Sequence, residues 1–204
     1  MSIRPLTAEQ TDALQEVMNI AMGQAGDSLA RVLDAFIALS VPRIRTLDVK
    51  NLPSAAVEMV GDNTEVTAVR QAFYDDLTGE AIVVFGKEGC HDLADLMGYD
   101  SKLDQNSERE LLLDVANIMV GAILRGITEL LGTQLSFSPP SVMAEGRPVD
   151  SIMNPSDLPW SHALMLEVNY SMEQRAFKSH LFILLAEDAV EALRAAVDRF
   201  MDSI

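Results

Sequence analysis

From Leu14 onward, apolar residues recur at Leu14, Met18, Ala21, Ala25, Leu29, Val32, Leu33 and Phe36, the three-and-four spacing of one helix face. Thr7, with Gln10 three positions on, forms a capping box that starts this helix. Gly23 and Gly26 interrupt its interior, and Pro42 is expected to end it, with Val41 extended, because a residue before proline is steered out of the helical region. Periodicity is then lost over about 43–65, which holds Pro53 and "GDN". It returns as strand-like runs in "TAVRQAFYDD" and "EAIVVFG", joined by a turn at "DDLTG". A short helix is predicted over roughly 88–97, and the polar "GYDSKLDQNS" marks an internal boundary.

The second half repeats the order. Ser107 and Glu110 make a second capping box, and a helix is predicted to run to about Leu131 and stop near Gly132. "LSFSPPSV" is extended, "SHALMLEVNYSM" and "AFKSHLFILLAE" pair as strands, and "EDAVEALRAAVDRFM" closes as a helix. Asn19 and Asn117 lie 98 residues apart, and "AIVVFGKE" and "LFILLAED" 100 apart. So long a period implies a duplicated half rather than a solenoid. The expected organisation is one domain over 1–204 made of two repeats, about 1–100 and 101–204.

Composition narrows the function. Lys and Arg total 15 against 31 Asp and Glu, a net charge of −16, which argues against nucleic acid or an anionic membrane surface as partner. The single cysteine, Cys90, excludes an internal disulfide and a cysteine-cluster metal site. There is no signal-peptide pattern and no uninterrupted apolar run of membrane-spanning length. The expectation is a cytoplasmic, free-standing protein that meets other proteins.

The candidate chemistry lies on the two long helices. At about 100° per residue, Asp12, Glu16, Asn19 and Gly23 fall within one stripe opposite the apolar face. A glycine in that stripe leaves a notch beside the amide for another backbone to approach. Glu110, Asp114, Asn117 and Gly121 take the same angles on the second helix, with Leu111 and Ile118 as apolar edges. Each asparagine is followed, after 22 residues, by a proline, Pro42 or Pro140.

The pattern Asp/Ser-x3-Glu-x2-Asn-x22-Pro, present twice, resembles the CheC family of chemotaxis response-regulator phosphatases, related to CheX and to the phosphatase part of FliY. The resemblance covers essentially the whole chain. It implies an α+β fold of pseudo-two-fold duplicated halves, an antiparallel sheet with two long site-bearing helices. It implies a substrate too, the aspartyl phosphate of a receiver domain. CheD-type deamidase is a further partner of that family, although no residue here marks its surface. The first copy, Asp12, Glu16, Asn19 and Pro42, matches without substitution. In the second, Glu110 replaces Asp/Ser and Asp114 replaces Glu, one methylene shorter.

The residue types suit that chemistry. An acyl phosphate is already activated, so its hydrolysis needs an in-line water and compensation of charge rather than a nucleophilic side chain. A side-chain amide such as Asn19 accepts a hydrogen bond from the water and fixes its orientation. By resemblance Glu16 anchors the helix to the receiver's active-site lysine; the alternative is general base for the water. Asp12 is peripheral, and Pro42 shapes the helix exit. No cofactor of the chain's own is expected, the Mg²⁺ being carried by the receiver. The rival from another class is a non-catalytic receiver-binding or flagellar-switch module of the same fold.

Elsewhere the bland assignments are favoured. Glu110 is expected to serve its cap, and Cys90 beside His91 lacks a third member for a catalytic set. His162 and His180 are too far apart in sequence to suggest a metal site. Met18, Met22 and Met119 are core, as is the stripe Val190, Leu193, Ala196, Val197, Phe200 and Met201.

Overall fold

The computed structural model describes residues 4–34, 37–62, 64–87, 89–96, 98, 104–154, 160–172 and 177–203. The first run of elements is α1 (Ala8–Leu33), β1 (Ile37–Leu39), β2 (Arg43–Asp48), a 3-10 turn (Val49–Asn51), α2 (Leu52–Val60), β3 (Glu65–Asp75), β4 (Gly79–Gly86) and α3 (Gly89–Leu96). The second is α4 (Gln105–Leu131), β5 (Leu135–Phe137), β6 (Ser141–Pro148), a 3-10 turn (Val149–Ser151), β7 (His162–Met172), β8 (Lys178–Leu185) and α5 (Glu187–Met201).

The strands form one antiparallel sheet in the order β1-β7-β8-β4-β3-β5, with β2 also on the outer edge of β7 and β6 on that of β3. The hairpins β3–β4 and β7–β8 meet at the centre through β4 and β8. Both faces of these central strands are covered. Val83, Phe85, Leu181 and Ile183 pack under α1, α4 and α5, whereas Ile82, Val84, Phe182 and Leu184 pack against α2 and the 3-10 turns. Burial on both sides is why "AIVVFG" is apolar without alternation.

α1 begins as expected: Thr7 Oγ1 accepts from Gln10 N at 3.1 Å, and Gln10 Oε1 accepts from Thr7 N at 3.0 Å. Its end differs. The helix stops at Leu33, with Asp34 in the left-handed conformation (φ 47°) as its cap, before the expected stop at Pro42. The chain turns early because Ile37–Leu39 pairs with β7, a tertiary demand that no local stop signal reports. Pro42 is buried between β1 and β2. Leu14, Met18, Ala21, Ala25 and Leu29 are buried as expected, as are Met22 and Met119. Phe36 and the side chains of Val32 and Leu33 lie outside the described residues.

α4 also departs from expectation at its start. Asp104 is the N-cap, its carboxylate accepting from Ser107 N at 2.8 Å, so Ser107 is already inside the helix. Asp competes better for this position than the sequence pattern allowed. Glu110 therefore belongs to no capping box and is simply exposed. Gly132 ends the helix at φ 62°. By length and composition α4 could cross a bilayer, but 67% of its most apolar window is buried inside the protein. The segment expected to be aperiodic, 43–65, folds as β2, a 3-10 turn and α2, with Pro53 in the first turn of α2.

α1 and α4 cross in contact. A Cβ built on Gly126 would lie 2.9 Å from Cα and Cβ of Ala21, so only glycine permits the approach. On the far side of the sheet, Arg45 of β2 donates to the buried Glu167 of β7 (2.6 Å) and to Glu58 of α2 (2.8 Å), fastening three elements together.

The α5 stripe packs as core: Val190, Leu193, Ala196 and Val197 are buried, with Phe200 and Met201 packed against the same cluster. His162 and His180 are not brought together. His180 sits opposite Asn169 on the central hairpin and His162 at the start of β7, beside Glu187. The side chains of Cys90 and His91 lie outside the described residues.

Candidate functional site

Asp12, Glu16, Asn19 and Gly23 are all exposed, on the side of α1 opposite its buried Leu14, Met18, Ala21 and Ala25. Helix period alone aligns them, because spacings of four, three and four keep one strip. Among the described residues, neither carboxylate and neither end of the Asn19 amide has a hydrogen bond or ion pair. A Cβ built on Gly23 meets nothing within 4 Å, so the notch beside Asn19 is open.

The stripe has apolar flanks. Gln15 Nε2 donates to the carbonyl of Pro42 at 3.0 Å, which holds the β1–β2 connection, with Val41 next to Pro42 in the chain, against α1. Ile20 borders the other side, about 100° round the helix from Asn19. Val41 is 70% and Ile20 38% exposed. Among the described residues only Tyr74 joins them as an exposed large apolar side chain.

On α4, Glu110, Asp114 and Asn117 are exposed and again share a strip. Here the surroundings differ in two ways. Asn117 Oδ1 accepts from Gln71 Nε2 at 3.0 Å, and the same nitrogen donates to Ser138 O at 2.9 Å. Gln71 is 4% exposed, on the helix-facing side of β3, and its own Oε1 is buried without a partner. Among the described residues, Asn19 has no comparable support. Ser138 brackets Ala72 as Ser40 brackets Asn169, so the position of Gln71 corresponds to Val168, a buried aliphatic residue.

The second difference lies at Gly121, where a notch like that of Gly23 is expected. It is filled: a Cβ built there would lie 3.0 Å from a guanidinium nitrogen of Arg125. Arg125 is exposed and pairs with no carboxylate among the described residues. The corresponding residue of α1 is Asp27, which pairs with Arg31 at 2.6 Å. The two stripes are alike in backbone and unlike in charge.

A model of the CheC-like family matches residues 9–44, a span holding Asp12, Glu16, Asn19 and Pro42. Thermotoga maritima FliY has the same fold over 97% of this chain and 100% of that one, with a TM-score of 0.74 and 26% identity. A chemotaxis protein CheX from Desulfovibrio desulfuricans matches 83% of this chain and 99% of its own length at a TM-score of 0.56 and 14% identity. The FliM middle domain from H. pylori covers 94% and 99% at 0.62 and 6%. These last two likenesses concern the fold alone.

Sequence reasoning missed Gln71 and Arg125. Each left a trace: Gln71 takes an inward position between Val69 and Phe73 in an alternating strand, and Arg125 stands one helical turn beyond Gly121.

Proposed function

We propose that this chain is a CheC-type phosphatase that hydrolyses the aspartyl phosphate of a chemotaxis receiver domain. The observation that carries this reading is the free Glu16–Asn19 pair on α1, exposed, unpartnered among the described residues and bordered by an open glycine notch. An exposed amide costs nothing in desolvation and has both lone pairs and both protons available for a partner. Docked on the receiver, Asn19 Oδ1 takes a hydrogen from the attacking water and holds its oxygen in line with the phosphorus. The Mg²⁺ and lysine of the receiver compensate the phosphoryl charge, and Glu16, one turn before Asn19, pairs with that lysine. Ile20 and Val41 add apolar contact at the rim.

At the second site, Asn117 already shares its carbonyl oxygen with Gln71, and Asp114 reaches less far than Glu16. The first site is therefore assigned the larger share of turnover. A second reading, a receiver-binding module without hydrolysis, is favoured by the fold likeness to the FliM middle domain.

The decisive experiment follows the decay of a phosphorylated receiver domain with Mg²⁺ in the presence of wild type, Asn19→Ala, Asn117→Ala and the double mutant. Acceleration by wild type that is lost in the double mutant supports the phosphatase. Docking without acceleration by wild type supports the binding module.

A further inference from the structure

Between the C-terminal half of α1 and the middle of α4 lies a cleft of about 460 Å³, whose walls include Gln24, Ser28, Asn117, Arg125, Glu129 and Phe137. Arg125 is the one cation among these lining residues, and neither Glu129, one turn away, nor any other described carboxylate pairs with it. An arginine on the surface of a chain with a net charge of −16 has many carboxylates to choose from. This one instead folds back along its own helix and lies over Gly121, next to the turn that carries Asn117. Side chains on a helix lean toward its N-terminus, so the guanidinium points at the amide rather than away from it. The one-turn separation of Gly121 and Asn117 brings the two groups within about 5–6 Å along the axis.

Asn117 faces the same cleft with a fixed amide. Gln71 donates to Oδ1 from below, and the bond of Gln71 to Ser138 O fixes which end of the glutamine does so. The Nδ2 hydrogens of Asn117 are left on the other branch of its amide. The cleft thus offers a guanidinium fork and an amide donor on one wall, a donor set that fits a tetrahedral oxyanion. Glu129 and Asp114 at the margins limit how strongly a free anion is held. They disfavour an anion there much less when it arrives as part of a docked partner.

We infer that Arg125 is a phosphoryl-binding residue of the second site, contacting the oxygens of the transferred group together with Asn117 Nδ2. This rests on the phosphatase reading and makes the two sites chemically different: the first relies on the receiver for charge compensation, the second adds a cation of its own. In the step, the water oxygen forms the new P–O bond while the bond between phosphorus and the aspartyl oxygen breaks. The receiver carboxylate leaves as an anion, and the water hydrogens depart with dihydrogen phosphate. Negative charge spread over the phosphoryl oxygens is what Arg125 stabilises. Gly121 leaves the guanidinium room to lie there, since a methyl would come within 3.0 Å of it and press it aside.

The test uses the Asn19→Ala chain, in which only the second site is intact. Arg125→Gln in this background is expected to slow receiver dephosphorylation about tenfold or more, as for loss of a charge-assisted hydrogen bond. Arg125→Lys is expected to recover part of that loss, and Gly121→Ala to reproduce part of it with Arg125 still present. Equal rates for Arg125→Gln and its parent overturn the proposal. A separate arm titrates wild type and Arg125→Gln with inorganic phosphate, against chloride, and follows the Arg125 Nε–H and Asn117 amide proton resonances. If no form of the chain acts on a receiver, phosphate-specific shifts that vanish in Arg125→Gln keep the oxyanion site and discard the phosphatase reading. Inactivity together with absent shifts discards both.

Discussion

Substitution of Gly23 by alanine separates stability from function, because its two effects have opposite sign. Gly23 lies inside α1 with helical geometry, and a Cβ there meets nothing within 4 Å. The methyl therefore causes no clash within the chain. Alanine is favoured over glycine in a helix interior by about 0.5–1 kcal/mol, largely because the unfolded chain loses freedom. For a chain of this size that raises Tm by about 1–4 °C. The same methyl fills the notch beside Asn19, where a docked receiver backbone would sit. Overpacking there costs about 1–3 kcal/mol, so KM for the phosphorylated receiver is expected to rise about tenfold at unchanged or higher Tm. Thermal melts and receiver-decay kinetics on one preparation read both effects. Gly126→Ala is the control: its methyl would lie 2.9 Å from Ala21 Cα and Cβ, the overpacking outweighs the helix gain, and Tm falls. A lower Tm for Gly23→Ala would refute the open notch. A higher Tm with unchanged KM would refute its role in docking.

Stability should also depend on His180. Burial, with Lys178 nearby, pushes its imidazole down from 6.5 to about 4, and its Nδ1 lies 2.6 Å from Asn169 Oδ1. The unfolded chain binds this proton more readily, so the contribution is complete above about pH 6.5 and is lost as pH falls toward about 4, by up to ~3 kcal/mol. Urea midpoints at pH 7.5 and 4.5 are expected to fall less in His180→Gln than in wild type; parallel curves would remove His180 as the cause. Asp114→Glu in the Asn19→Ala background restores the methylene missing from the second stripe and is expected to raise its receiver-decay rate severalfold. No gain would mean that side-chain reach does not limit that site.

The elements that sequence located well are those whose cause is local. The Thr7–Gln10 box, the β3–β4 and β7–β8 hairpins, the α5 stripe and the Gly132 stop depend on residues a few positions apart. The alignment of Asp12, Glu16, Asn19 and Gly23 is equally local, since helix period alone determines it. Where expectation failed, a distant partner had intervened: β7 claimed Ile37–Leu39 and ended α1 early, and β2 found its partner in a strand more than a hundred residues later.

The sequence by itself determined that two similar stripes exist, because repetition and helix period are visible one residue at a time. Only the tertiary structure decided that the stripes differ. The hydrogen bond from Gln71 to Asn117 joins residues 46 positions apart on different elements. The cleft beside Arg125 exists only because α1 and α4 pack closely enough at Ala21 and Gly126 to wall it. The two stripes share one helix pattern, but each site's chemistry depends on which strand and which helix lie beneath and beside it. Long-range packing sets those neighbours.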